Sequence, residues 1–342
     1  MTVSSLDFRN GDELKKWDEF VFNRSQLYHH SRWAEIISSV YGFKPSFLYS
    51  EKAGQVQSVF PLFRVKVPLF RDELVSIPHL ESGGMINTIF YPEYFDYIRR
   101  HISARKMKIY QYREQIGSLP SNSDDVVLLK ELPEKKELII PGMKAATARN
   151  YTRRVLERDL QVVVENNEAV LGEFYKIYLQ RMREFGTPPH GFGYIKKISE
   201  TFAEDAKIML IKDSGEVVGA SFYIMFNKYL YNLYLAVPQR HLKEKIVYLI
   251  QYKAMEMGID RNLECLVLGR STKDSGTFFF KTELGGYPIP LYLYHFRLTP
   301  EGCESVQEKS VKEKYSSAAR IWTKLPSLIT DHAGPFIRKW VY

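Results

Sequence analysis

Apolar and polar positions follow two periods along this chain, and the switches between them mark its elements. In DELKKWDEFVF and SRWAEIISSVYG apolar residues recur three and four apart, which predicts two helices, the first with Asp12 as a cap, the second capped by Ser31 and stopped at Gly42. The spacing then shortens to two. PSFLYSEKAGQVQSVFPLFRV reads as two strands joined by a turn at Ala53-Gly54, and ELVSIPHL as a third. PEYFDYIRRHISA returns to helical spacing, and KMKIYQYR and DDVVLLKEL are further strands. The second half repeats the order: helices in LGEFYKIYLQRMREFG and FGYIKKISETFAE, two strands around a Ser214-Gly215 turn, the strand KYLYNLYLAV, a helix over about Lys243 to Met257, then the strands LECLVL and PLYLYHFRL. AGQVQSVFPLF and SGEVVGASFYI share turn and strand pattern about one domain length apart, which predicts a duplicated domain.

Length agrees with two domains, since 342 residues exceed what one hydrophobic core usually serves. Apolar residues at 45% and charged residues at 26% argue against disorder, and 23 tyrosines with 21 phenylalanines favour sheets and aromatic clefts. The net charge of +8 is spread over many segments, which points to an anionic ligand or phosphate-bearing partner. The N-terminal MTVSSLDFRNGDELKKW has no apolar core of a signal peptide, and no run approaches the ~18 apolar residues of a membrane span, so a cytoplasmic protein without a span is expected. Cys265 and Cys303 have no zinc-ligand spacing, and no metal is expected.

The order of two helices, a three-strand meander, a long helix and further strands is the pattern of the GNAT acyltransferase fold, so the fold class is α/β with mixed sheets in two tandem GNAT-like domains. In such a fold a helix start presents unpaired N–H groups to a pyrophosphate. That turn would be VPQRHLKEK, which has no glycine and offers Arg240, Lys243 and Lys245 instead.

The motifs resemble those of the FemAB-like acyltransferases, which include the Fem aminoacyltransferases of peptidoglycan bridges and relatives associated with exosortase systems. The resemblance rests on YHHSRWAEIISSVYGFKPSFLYSE, VFPLFRVKVPLF, LVSIPHLESGG, TARNYTRRVLERDLQV and RMREFGTPP, on the tail IWTKLPSLITDHAGPFIRKW and above all on GRSTKDSGTFFFKTELGG. It implies a cleft pair at Phe280 and Lys281, with Arg270 and Ser271 binding a phosphate or carboxylate. The residues alone allow a second reading of that motif, in which the three phenylalanines enter the core and Lys281 lays its stem along them with its ammonium in water. Departures from the family pattern fall at Val267, at Leu284-Gly285-Gly286, and at Ile36 or Ile37, where Fem ligases carry a lysine.

Other candidates come from residue type and place. His79 and Glu81, beside Gly83 and Gly84, could deprotonate an amine from a loop; the glycines would let backbone approach closely. His29 and His30 read as a cap and a packed ring. His190 is another imidazole near the expected cleft, and Tyr234 would line an acceptor channel or simply pack. Arg149 and Arg153 belong to a basic helix with Lys144, Arg154 and Arg158, suited to phosphates of a nucleotide-linked substrate or of tRNA. The expected boundaries are a first domain over residues 1–143, a second over 144–299 and a tail over 300–342, helical from about Glu304 to Thr323, packing back on the first domain. The function so implied is N-acyl or aminoacyl transfer to an amine of an envelope or polysaccharide precursor. No cofactor would be tightly bound, and the donor would be aminoacyl-tRNA or acyl-CoA. The alternative is a non-catalytic GNAT-fold protein that holds a nucleotide-linked sugar or RNA in its basic cleft.

Overall fold

A computed structural model describes residues 2–66, 72–306 and 319–341. These fall into two compact units, one of residues up to 127 with 289–306, the other of 128–288 with 319–341.

In the first unit, β1 (Thr2–Ser5) is followed by α1 (Gly11–Phe22) and α2 (Arg32–Tyr41), the strands β2 (Lys44–Lys52), β3 (Gln55–Val65) and β4 (Glu73–Val75), then α3 (Tyr91–His101) and β5 (Lys106–Tyr112). Strand β6 (Asn122–Glu131) carries the chain into the second unit. There α4 (Ala146–Leu156) precedes β7 (Gln161–Glu165), α5 (Glu168–Glu184), α6 (Phe192–Phe202), β8 (Ala206–Asp213), β9 (Glu216–Phe226), β10 (Tyr229–Ala236), α7 (Ile246–Asp260), β11 (Cys265–Thr272) and α8 (Gly276–Glu283). Each unit pairs its strands in sequence order, antiparallel three times and then parallel, in β4 with β5 and in β10 with β11. Duplication is therefore written in the pairing as well as in the order of elements.

The strand that should finish the second half joins the first unit. Residues 291–297 of β12 (Tyr287–Leu298) pair antiparallel with β5, and Tyr294 and Phe296 lie buried among Phe60, Leu62 and Met107. Tyr294 also accepts the Ile116 N–H at its hydroxyl, 2.9 Å away. After β6 the chain is held in the second unit, where Leu132 N–H donates to the Glu264 carbonyl at 2.9 Å and Lys136 pairs with Asp260 at 2.7 Å. The units thus divide at Val127, earlier than the boundary expected near residue 143.

Local chemistry corrects three further expectations. Asn10, rather than Asp12, caps α1 by accepting the N–H groups of Asp12 and Glu13. Ser31 precedes α2 without capping it, because its hydroxyl donates to Asp18 at 2.6 Å. Most of the expected tail helix over 304–323 lies outside the described residues; Cys303–Ser305 form β13 on β12, and α9 (Ser327–Arg338) packs on the second unit instead of the first. The reason is a close fit: a Cβ at Gly334 would lie 2.4 Å from Pro189 Cδ, and Arg338 donates from Nε to His190 Nε2 at 3.3 Å.

Candidate functional site

Strands β10 and β11 of the second unit are paired for only three residues, Tyr229–Tyr231 against Cys265–Val267. Beyond them β10 continues along β9, through a bulge between Asn232 and Tyr234, while β11 runs on to Thr272 without a partner in β10. Parting strands expose backbone carbonyls, and here a cation meets them. Lys281, on α8, donates to the carbonyls of Gly269 at 2.9 Å and Arg270 at 2.8 Å. Successive carbonyls of a regular strand point opposite ways, so two can converge on one ammonium only if the backbone turns between them. Gly269 supplies that turn with a φ of +86°. Two residues on, the Ser271 hydroxyl is buried with no hydrogen-bond partner.

The helix that follows β10 starts without a side-chain cap. Lys245 precedes α7 with a left-handed φ of 62°, the conformation a glycine usually takes at such a turn, and its ammonium stands 4.5 Å from the centre of the Tyr151 ring. Tyr151, Tyr248 and Phe280 continue in edge and tilted contacts at 5.4 and 5.1 Å. Burial raises the Tyr248 pKa, and Glu283, which accepts from its hydroxyl at 3.3 Å, raises it further. The proton is held on the phenol.

At the corresponding place in the first unit, β4 pairs with β5 over three residues as well, Glu73–Val75 against Lys106–Lys108. The chain then loops out and returns: Gly83 bridges to Gln111, and Ile86 bridges to Val59. Gln111 accepts Met85 N–H at 2.8 Å and donates to Met85 carbonyl at 2.9 Å. Gly84 is essential to this closure, since its φ is +84° and a Cβ there would lie 2.3 Å from Gln111 Oε1. Next to it lies a cavity of about 340 Å³ lined by Arg24, His29, Asn87, Arg113 and Glu114 among others. His29 is buried there, with Nε2 at 3.1 Å from the Gly84 carbonyl and Nδ1 without a hydrogen-bond partner. Desolvation pulls its pKa down to about 4, the Gly84 contact opposing in part, so the imidazole is neutral at pH 7. With Nε2–H given to Gly84, Nδ1 is left as a buried acceptor.

Residues 144–282 match the model of the GNAT acetyltransferase domain family. FemX is similar in structure over 93% of this chain and 100% of its own, with a TM-score of 0.62 at 13% identity. The fold is that of the FemAB-like tandem GNAT proteins. L-PGS from Bacillus licheniformis matches 92% of the chain and 98% of its own at a TM-score of 0.54 and 13% identity. A tandem GNAT protein from the clavulanic acid biosynthesis pathway matches 90% and 99% at 0.54 and 9%. A comparison with curated protein sequences gave no match.

Within the GNAT domain, Lys281 is held on the carbonyls of Gly269 and Arg270 where β10 and β11 part, Ser271 follows on the same strand, and Phe280 packs against Tyr248. The reading in which the phenylalanines enter the core and the Lys281 ammonium stays in water does not describe the outcome. None of the three rings is buried, Phe279 being 52% exposed, and the Lys281 ammonium is turned inward on carbonyls rather than left in water. Tyr234 and His190 meet in a separate aromatic cluster, 6.1 Å apart with Tyr178 5.3 Å from Tyr234. On the basic helix α4, Arg149 donates to the Met143 and Lys144 carbonyls and Arg153 to Asn150, while Arg158, just past the helix, donates to the distant Asp213 and Glu244. Arg240 pairs with Glu216. In the first unit His79 packs 4.4 Å from Tyr41 while Glu81 accepts from Tyr28 at 3.2 Å, so the two side chains serve different neighbours. Gln111 was missed by sequence reasoning, although it occupies the inward register of β5 with Met107 and Ile109, where a polar residue signals a buried task.

Proposed function

We propose that the protein transfers an acyl or aminoacyl group to an amine, with the GNAT domain holding the donor at the gap between β10 and β11. The observation that carries this is the gap itself: strands that part after three pairs, a buried hydroxyl left unsatisfied at Ser271, and an ammonium fixed at the parting point. The uncapped start of α7 and Lys245 offer N–H groups and positive charge to the donor's phosphates. In the reaction a neutral amine attacks the donor carbonyl and the C–N bond forms. The ester C–O bond of an aminoacyl-tRNA, or the thioester C–S bond of an acyl-CoA, then breaks and the leaving group takes up a proton. Lys281 keeps a positive charge where the carbonyl oxygen becomes negative, and Arg270 and Ser271 bind the polar end of the substrate. The cavity of the first unit, with Arg24, Arg113 and a neutral His29, suits an anionic ligand. By the motif resemblance, the acceptor is a cytoplasmic precursor of the envelope or of a polysaccharide, carrying a nucleotide or other phosphate.

A second reading, non-catalytic retention of a nucleotide-linked sugar or RNA, draws on the glycine-free turn before α7. The ion pairs of Arg158 and Arg240 count against it, because paired guanidinium groups attract phosphates less. A thermal-shift screen of acyl-CoAs, aminoacyl-tRNAs and nucleotide sugars, followed by turnover with each ligand that raises the melting temperature, decides between the two. Binding of an acyl donor without transfer to any amine would reject the enzymatic reading.

A further inference from the structure

Surface helices normally turn polar residues outward. Helix α9 turns a largely apolar side outward. Thr330 and Gly334, four residues apart, face the second unit and are buried, and Arg338 on that side reaches His190. Leu328, Ile329 and Phe336 fall within about 100° of one another at 3.6 residues per turn, on the other side, with the exposed His332 among them and Ile337 at the edge of that face. Leu328 is 73% and Phe336 75% exposed, and Ile321, just before the helix, is exposed as well. An apolar face of this kind marks a contact surface. The close fit at Gly334 and Pro189 sets the helix rotation, so the face is not free to roll inward.

We propose that this face docks the protein on the surface of an anionic lipid bilayer. Charge selects that occupant: residues 319–341 carry Arg320, Lys324, Arg338 and Lys339 against the single acid Asp331. Lys339 lies 5.0 Å from the centre of the Trp340 ring, and a tryptophan beside a lysine at the end of an amphipathic helix is interfacial chemistry. A second copy of the chain is disfavoured, because two-fold pairing through this face would set one basic rim against another. Insertion is shallow, since no helix among the described residues is long and apolar enough to cross a membrane. The inference does not depend on the transfer reading; it adds that the amine acceptor is met at a lipid surface.

The test is co-sedimentation of the full chain with vesicles of phosphatidylcholine alone and of phosphatidylcholine mixed with phosphatidylglycerol. Binding to the mixed vesicles should exceed binding to the neutral ones by about tenfold or more, and should weaken with salt. The double variants Leu328→Ser with Phe336→Ser, and Lys324→Glu with Lys339→Glu, should each reduce it by about tenfold or more. The charge variant leaves the apolar face intact and so tests the proposal even if the serine variant folds poorly. Absence of binding at low salt, equal binding to both vesicles, or a wild-type dimer that the serine variant dissolves would overturn it. Transfer to a soluble amine, measured without vesicles, should be the same in wild type and in the charge variant, which separates failure of docking from failure of the catalytic reading.

Discussion

The two halves of the chain share one strand order and one weak point, a parallel contact of only three residue pairs before the strands separate, and they resolve it differently. The first half closes the opening with its own backbone, clamped by the neutral amide of Gln111 around Met85. In the second half the opening stays unpaired and a charged side chain, Lys281, is fixed beside it. A neutral two-bond clamp adds rigidity and leaves no charge at the parting point. A side-chain amine held on two carbonyls stands in a part-buried place, where electrostatic effects are stronger than in water. Duplication thus supplied two copies of one topology, and polar chemistry at the parting point distinguishes them.

The largest test of that contrast is Gly84→Ala. Its left-handed backbone and the overlap with Gln111 together should cost about 4 kcal/mol, read as a lower denaturation midpoint. Loss of less than about 1 kcal/mol would mean the closure is slack. His29 gives the first half a pH signature. Its folded pKa, near 4, lies below the 6.5 of an exposed imidazole, so only the unfolded chain binds the proton as pH falls from 6.5 toward 4. Stability should therefore be level above about pH 7 and drop by about 3 kcal/mol across that window. His29→Gln, which can still donate to Gly84, should remove this component from denaturation curves measured at successive pH values.

In the second half, Lys281→Gln keeps a donor for the carbonyls and removes the charge. Transfer should slow about 100-fold, near 2.7 kcal/mol in the barrier, with a small change in melting temperature. A wild-type rate with every accepted donor would end the catalytic assignment. Ser271→Ala is the mildest change. Removing an unsatisfied buried hydroxyl should leave stability within about 1 kcal/mol of wild type or slightly raise it, while the Michaelis constant for the donor increases. An unchanged constant would show that the hydroxyl meets no substrate.

Much of the fold was legible because its signals are local. The Ala53-Gly54 and Ser214-Gly215 turns, the period-two runs of β3 and β9 and the Gly42 stop of α2 stand in the structure where the pattern put them. The site was legible by residue type and illegible by role. GRSTKDSGTFFFKTELGG marked Lys281, yet only the positive φ of Gly269 explains why its ammonium turns inward instead of following the phenylalanines to the surface. The basic run from Lys144 to Arg158 looked like one phosphate-binding face, and the partners of Arg158, Asp213 and Glu244, are 55 and 86 residues away from it in sequence.

By itself the sequence determined the alternation of helix and strand, the duplication and the chemistry stocked in each segment, because these depend on periodicity, turn residues and side-chain type within a few positions. Tertiary structure alone decided that β12 completes the first unit, that the tail rests on the second, and that one parting of strands is sealed while the other is charged. Those outcomes depend on which distant groups satisfy a buried carbonyl, amide or ring. A linear pattern records that each such group needs a partner, and only the packed chain selects which partner it finds.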